Sequence, residues 1–283
     1  MKLRFQQIDV FGAKPFLGNP LAVVLDAEGL STEEMQRITR WMNLSETAFI
    51  LPPRDASADY RVRIFTLTHE LPFAGHPTLG SCHAWLSSGI QPKQQNLIVQ
   101  ECGAGLVSIK RAAEGLAFAA PPLLRSGQVD AAYTEQLAAV LGIDRSQIVD
   151  TAWADNGPGW VGVLLEDAAT VLAIEADFSR YSGSESLDIG LVGPYPQGSE
   201  CAFEVRALFR NQQGAMVEDP VTGSLNASLA EWLIATGRAT APYLVSQGTR
   251  LGCEGRLSIQ QSADDTVWVG GATVTCVAGE IQI

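Results

Sequence analysis

The order of apolar and polar residues along the chain predicts more strands than helices. Alternating or apolar runs such as residues 60–65 and 266–271 are typical of strands. A first helix is marked by Ser31 and Glu34, which have the spacing of a capping box ahead of an amphipathic run. Strands therefore dominate the predicted structure, with a few well-marked helices.

Two further runs, residues 77–86 and 225–234, are apolar around most of the helix circumference. A helix without a polar face is usually enclosed on all sides. Pro77 suits the first position of such a helix, because its missing N–H would have no acceptor there. We therefore predict two buried helices, the first of which begins at Pro77.

The two buried helices belong to a repeat. Gly75 and Gly223 lie 148 residues apart, and each is followed 14 residues later by another glycine. Residues 97–103 also resemble residues 243–248 at nearly the same offset. This self-similarity predicts a duplicated α+β domain of about 140 residues. Each half, 1–120 and 121–283, is expected to be a mainly antiparallel barrel-like sheet around one central helix, with the last strand a candidate to return to the first half.

Composition narrows the classes of partner. The 283 residues are 46% hydrophobic and 18% charged, with a net charge of −12 and no cluster of Lys and Arg. Such a chain can bury a large core, and it is a poor candidate for binding nucleic acid. The first residues lack a signal-peptide pattern and no long apolar run follows, so a cytoplasmic, membrane-free protein is expected. The five cysteines have no paired spacing and are expected to be reduced.

Each predicted buried helix is preceded by a glycine turn with a Pro-containing approach. A glycine lets a ligand come close to the backbone, and the first helical turn presents N–H groups without intrahelical partners. Gly75, Gly223 and Ser224 are therefore candidates to bind a small anion, and the two turns are expected to face each other across one cleft.

Glu46 and His76 are the first candidates for proton transfer. In a strand, Glu46 shares a face with Leu44, Ala48 and Ile50, and such burial is expected to raise its pKa. A buried Glu paired with an Arg or a backbone N–H is the alternative. His76 follows Gly75 at a helix start, where the helix dipole is expected to keep the imidazole neutral, although a capping role would also explain it.

Asp219 is the third candidate for proton transfer. It lies five residues before Ser224, so both side chains can face the same pocket. An ordinary Asp-Pro turn would also explain it, and Thr222 and Ser224 could be simple N-cap residues. No metal is expected, since prolines interrupt the stretch that carries the three histidines at seven-residue spacing. No cofactor is expected, since the nucleotide-binding glycine motifs are missing.

Several segments together resemble the phenazine-biosynthesis PhzF family, and they follow in the same order over nearly the whole chain. They are Asp9-Val10-Phe11, Phe16-Leu17-Gly18-Asn19-Pro20, Leu44-Ser45-Glu46-Thr47-Ala48-Phe49, His69-Glu70-Leu71-Pro72-Phe73-Ala74-Gly75-His76-Pro77-Thr78 and Glu218-Asp219-Pro220-Val221-Thr222-Gly223-Ser224.

The resemblance implies the diaminopimelate-epimerase fold, usually assembled as a homodimer. It also implies a cofactor-independent isomerisation whose reference substrate is trans-2,3-dihydro-3-hydroxyanthranilate. By motif, Glu46 would be the acid/base and His76 and Asp219 would assist proton transfer. The carboxylate of the substrate would bind at Gly75, Gly223 and Ser224.

The chain departs from the family pattern at two places, and two alternative functions stay open. Residues 209–213 replace a Phe-Ala-Pro stretch common in the family, and Leu225 follows Ser224 where alanine is usual, so the rim of the pocket is expected to differ. Racemases of this fold carry a cysteine immediately before each helix-start glycine, where this chain has Ala74 and Thr222. The leading hypothesis is a PhzF-type isomerase. The alternatives are an amino-acid epimerase and a non-catalytic protein that binds small anions.

Overall fold

A computed structural model describes residues 1–181, 183, 187–210 and 215–283. The chain divides into two compact units. Unit 1 comprises Met1–Ala119 and Val269–Ile283, and unit 2 comprises Ala120–Trp268. The last fifteen residues of the chain thus lie with the N-terminal unit. Within the described ranges, no helix has both the length and the apolar character needed to cross a membrane.

Unit 1 is built mainly of strands, with two helices. In chain order its elements are β1 (Lys2–Val10), β2 (Asn19–Val24), α1 (Thr32–Met42), β3 (Glu46–Leu51), β4 (Tyr60–Thr66), β5 (Glu70–Leu71), α2 (Gly75–Ser87), β6 (Leu97–Cys102), β7 (Gly105–Ala112) and β8 (Gly115–Ala119).

Unit 2 repeats this plan with one additional helix near its start. Its elements are β9 (Arg125–Gln128), α3 (Ala131–Leu141), β10 (Ile148–Asp155), β11 (Trp160–Leu165), α4 (Ala168–Ala173), β12 (Asp188–Pro194), β13 (Phe203–Arg210), β14 (Met216–Asp219), α5 (Gly223–Ala235), β15 (Tyr243–Gln247) and β16 (Gly255–Gln261). β17 (Val267–Gly271) leads back to unit 1, where β18 (Thr273–Gln282) pairs antiparallel with β1.

The strand pairings show the duplication directly. In unit 1, β2 pairs antiparallel with β1 and parallel with β3, and β4 pairs with β3, β5 and, in parallel, with β6. The same order of pairings recurs in unit 2. There, β11 pairs antiparallel with β10 and parallel with β12, and β13 pairs with β12, β14 and, in parallel, with β15. The predicted α+β fold with two pseudo-symmetric halves is therefore confirmed.

The two central helices begin earlier than predicted. α2 starts at Gly75 and α5 at Gly223, so Pro77 is the third helical residue and not the first. The first turn tolerates proline because the N–H groups there have no intrahelical acceptor. Both helices are buried along most of their length, as their apolar circumference predicts.

Candidate functional site

In unit 1, Glu46 and His76 lie next to each other. Glu46 is the first residue of β3, whose remaining residues are buried on both faces, and His76 is the second residue of α2. The His76 Nε2 atom and the Glu46 Oε2 atom are 3.5 Å apart, with 6% and 17% of the two side chains exposed. This distance is longer than a usual N···O hydrogen bond, and a small movement of either side chain would close it.

His76 is neutral at physiological pH. Burial lowers the pKa of its imidazole from 6.5 to about 3, because desolvation penalises the charged ring. The sequence predicted a neutral imidazole on the ground of the helix dipole, whereas desolvation is the cause found here. The N-cap position of α2 belongs to Ala74 and not to His76. Within the described residues, the buried Nε2 atom of His76 makes no hydrogen bond.

The start of α2 is shaped by Ala74 and Pro77. Ala74 is the N-cap in an extended conformation and offers no side-chain cap. The first intrahelical bond runs from the N–H of Thr78 to the carbonyl of Ala74. Since Pro77 has no N–H, helix geometry leaves the N–H groups of Gly75 and His76 as the donors of this first turn.

A buried glutamine holds the first turn of α2 in place. Gln100, on β6, is fully buried and accepts a hydrogen bond from the Tyr60 hydroxyl at 2.9 Å. Its amide nitrogen donates to the Thr78 hydroxyl at 3.0 Å. A satisfied buried network of this kind fixes the helix start relative to β4 and β6.

Replacing Gln100 with Leu is expected to lower the free energy of unfolding by about 2 kcal/mol, because the buried Tyr60 hydroxyl would lose its acceptor. Urea denaturation would measure the change, with Gln95→Leu as the control, since Gln95 is an exposed glutamine in the connection that precedes β6. Equal stability of the two variants would show that the network does not stabilise this helix start.

The loop after β1 has a structural role. The Asp9 carboxylate is almost fully buried and accepts hydrogen bonds from the N–H groups of Leu17 and Gly18, at 2.9 and 3.0 Å. A Cβ at Gly12 would lie 2.7 Å from the Gly18 nitrogen, so the loop closes on itself too tightly for a side chain. The Asp9 carboxylate is therefore used to shape this loop.

In unit 2, Asp219 ends β14 and is oriented by Thr222. The Thr222 hydroxyl donates to the Asp219 Oδ2 atom at 2.5 Å. Thr222 occupies the N-cap position of α5, but its side chain makes no cap bond to the helix. Its side chain thus serves Asp219 instead of the helix, which goes beyond the simple N-cap alternative.

Gln247, on β15, holds the first turn of α5 in place, as Gln100 does for α2. Its carbonyl oxygen accepts from the Thr222 N–H at 3.0 Å and from the Asn226 amide at 2.7 Å. Its amide nitrogen donates to the Thr222 hydroxyl at 2.9 Å and to the Asp219 carbonyl at 3.2 Å. Gln247 therefore ties the turn that carries Asp219 and Gly223 to β15.

Ser224 is the second residue of α5, and its hydroxyl is within reach of a ring donor. The Trp160 indole N–H donates to the Ser224 Oγ atom at 3.3 Å, which leaves the hydroxyl hydrogen available to a ligand. The Asn156 amide donates to the Ser224 carbonyl at 3.0 Å. Gly223 is buried at the helix start beside it.

The structure thus brings Glu46 and His76 together in unit 1, and Asp219, Gly223 and Ser224 together in unit 2. That the two groups share one cleft stays a prediction. Sequence reasoning missed the supporting residues Gln100 and Gln247. The repeat contained their signal, since each of the two matching strand segments carries one of these glutamines, and they lie 147 residues apart, close to the 148 of Gly75 and Gly223.

The comparisons with known proteins give the family. A family model described as phenazine biosynthesis-like protein, PhzC-PhzF, matches residues 8–279. The chain belongs to this family. Antisense-enhancing sequence 1 of Schizosaccharomyces pombe is 34% identical over 98% of this chain and 97% of its own length. The trans-2,3-dihydro-3-hydroxyanthranilate isomerase of Pseudomonas aeruginosa is 34% identical over 80% of this chain and 78% of its own.

Among solved structures, a PhzF family protein of Bacillus anthracis superposes with a TM-score of 0.83 at 22% identity, covering all of both chains. This likeness shows the fold. Several curated relatives are named isomerases, and the chain is an isomerase of the PhzF family. The resemblance stated from the sequence is therefore confirmed for family and fold.

The departures from the family pattern fall in different places. Phe209 and Arg210 end β13, whereas Asn211, Gln212 and Gln213 lie outside the described residues. Leu225 is fully buried, and a side-chain Cβ at Gly190 would collide with it. The larger residue after Ser224 is thus accommodated in the core of unit 2 by a glycine on β12.

Proposed function

We propose that the protein is a cofactor-independent isomerase in which Glu46 removes a proton from one carbon of a small cyclic carboxylate and returns it to another. The substrate would be similar to trans-2,3-dihydro-3-hydroxyanthranilate, on which a relative acts according to its name. The observation that carries this proposal is the contact of Glu46 with a buried, neutral His76.

A neutral imidazole suits a carboxyl group that must act in both directions. A charged imidazolium would hold Glu46 as a carboxylate and make it a poor acid. Beside a neutral ring, the carboxylate can take the proton from carbon, and the resulting carboxylic acid can give it to a second carbon. The electrons of the broken C–H bond move into the π-system between the two carbons, so no oxidant or reductant is needed.

Donors at the helix starts support the binding of an anion. Each helix start can by itself stabilise a carboxylate or a developing negative charge: the first-turn N–H groups of α2 in unit 1, and those of α5 with the Ser224 hydroxyl in unit 2. Asp219 would hold the amino or hydroxyl group of the substrate. Its orientation by Thr222 supports that role, because a fixed carboxylate selects one position of the donor.

The residues favour this reaction over a two-thiol racemisation. Ala74 and Thr222 are the N-cap residues at which a racemase of this fold would carry its cysteines. Cys82 lies on α2 but is buried within the unit, where desolvation raises its pKa to about 12. Such a thiol is a poor base, so Glu46 is the better candidate in unit 1.

Incorporation of solvent deuterium tests the proposal. Incubation of trans-2,3-dihydro-3-hydroxyanthranilate with the wild-type protein in heavy water is expected to place deuterium on carbon, as detected by NMR. Glu46→Gln should abolish the label, because an amide cannot take the proton. Glu114→Gln is the matched control, since Glu114 is an exposed glutamate of the same unit, and it should label as the wild type does.

Retained labelling in Glu46→Gln would refute the role of Glu46. Binding of the substrate without any label in the wild type would favour a non-catalytic binding protein. Inversion of a plain α-amino acid would favour the epimerase. We also propose a homodimer, on the family resemblance alone, which sedimentation equilibrium would check.

A further inference from the structure

Unit 2 contains a cavity of about 710 Å³ that the proposed reaction does not use. Its wall includes Glu231, Trp232 and Thr236, at the C-terminal end of α5. Glu231 lies eight residues beyond Gly223, which corresponds to about 12 Å along the helix axis. The cavity is therefore separated from the helix start that carries the predicted anion-binding residues.

Glu231 differs from the other carboxylates of this cavity. Asp150 forms an ion pair with Arg238 at 2.6 Å, and Asp265 accepts from the Gln261 amide at 3.4 Å. The Glu231 Oε2 atom is buried and has no hydrogen-bond partner in the part of the chain that the structure describes. Desolvation raises the pKa of Glu231 to about 7. An acceptor that is shielded from water and lacks a donor is costly, and a bound donor would relieve the cost.

The charge of the cavity favours a cation. Its wall contains three carboxylates and no Lys, Arg or His among the described residues. The nearby cations are already engaged, since Arg125 stacks on the Trp153 ring at 3.3 Å and Arg238 pairs with Asp150. The last carbonyls of α5 add partial negative charge at the same end.

The remaining wall is largely apolar. Trp153, Trp232, Ile234 and Val267 face the cavity and can cover the hydrocarbon part of a ligand. A ligand that matches both properties has an apolar body and one positively charged nitrogen.

We propose that this cavity binds a small primary amine with an aromatic or short aliphatic body, its ammonium group bonded to the Glu231 carboxylate. The body lies against Trp232 and Val267, and a rotation of the Glu231 side chain toward the cavity gives the buried Oε2 atom the ammonium as its donor. The interaction is noncovalent and leaves the proposed chemistry at Glu46 unchanged.

Calorimetric titration with benzylamine and benzyl alcohol tests the proposal, because the two probes share a ring and differ in charge. At pH 8, where Glu231 is mostly ionised, the wild type is expected to bind benzylamine more tightly than benzyl alcohol. Glu231→Gln should weaken benzylamine binding about tenfold and leave benzyl alcohol unaffected. The control Glu166→Gln, at an exposed glutamate of the same unit, should behave as the wild type.

Equal affinity for the two probes, or equal benzylamine affinity in wild type and Glu231→Gln, would overturn the proposal. So would the absence of benzylamine binding, or a dimer that dissociates on substitution of Glu231, which would mean that a second copy covers the cavity. Deuterium exchange at the Glu46 site is expected to be unchanged in Glu231→Gln. The amine site and the proposed isomerisation can therefore fail independently.

Discussion

Replacing Arg206 with Ala is expected to lower the free energy of unfolding by about 3–5 kcal/mol. The Arg206 guanidinium donates to both oxygens of the Glu218 carboxylate, at 3.1 and 2.8 Å, and only 3% and 9% of the two side chains are exposed. Arg206 Nη1 also donates to the carbonyls of Val171 and Ile174 at the end of α4. Removing the guanidinium leaves a buried carboxylate and two carbonyls without their donors.

Urea denaturation of two further variants would separate the buried charge from packing. The double variant Arg206→Met/Glu218→Met replaces both charges with apolar groups and is expected to cost much less than the single variant. Arg4→Ala breaks the exposed pair with Asp26 and should cost no more than about 1 kcal/mol. A cost for Arg206→Ala as small as that of Arg4→Ala would contradict the prediction. Because Glu218 precedes Asp219, the single variant should also disturb the candidate site.

Lowering the pH from 6.5 to 4 is expected to reduce the stability contributed by His76 by about 3 kcal/mol. The pKa of His76 is about 3 in the folded protein and 6.5 as the ordinary value. The unfolded chain therefore binds a proton in this range that the folded protein excludes. The contribution of His76 to the free energy of unfolding is fully present above pH 6.5. It falls with decreasing pH by about 1.4 kcal/mol per pH unit until the pKa of the folded protein is reached.

The difference between wild type and His76→Asn, measured by urea denaturation at several pH values, isolates this effect. The difference should change with pH below 6.5, because the unfolded chain binds a proton that the folded protein excludes. The Glu46 carboxylate faces the ring at 3.5 Å, so the series is repeated in Glu46→Gln to remove its titration. A difference that is independent of pH in both backgrounds would show that His76 is not held neutral by burial.

The sequence predicted those structural features that depend only on residues close together in the chain. The capping box of Ser31 and Glu34 is present, with both hydrogen bonds formed, because it needs only residues three apart. The hairpins that follow α2 and α5 match the repeated segments. The two central helices start at equivalent positions, Gly75 and Gly223, 148 residues apart as in the repeat.

Local sequence patterns did not predict contacts between residues that are distant in the chain. The parallel pairing of β2 with β3 and of β11 with β12 depends on how the sheet closes, and no local pattern encodes it. The approach of Glu46 to His76 joins residues 30 positions apart through that sheet. The start of α2 was misplaced because a proline predicts only that a helix begins nearby, since several positions of the first turn lack an acceptor.

The two central helices share a glutamine support but differ in their first turns. Gln100 and Gln247 each hold the start of one helix, whereas Pro77 removes a donor that Leu225 supplies, and Ala74 stands where Thr222 orients a carboxylate. A protein made of two identical chains would carry every such substitution twice. Because both copies lie in one chain, each helix start can differ on its own, so that the same glutamine support holds the turn that carries His76 in one unit and the turn after Asp219 in the other.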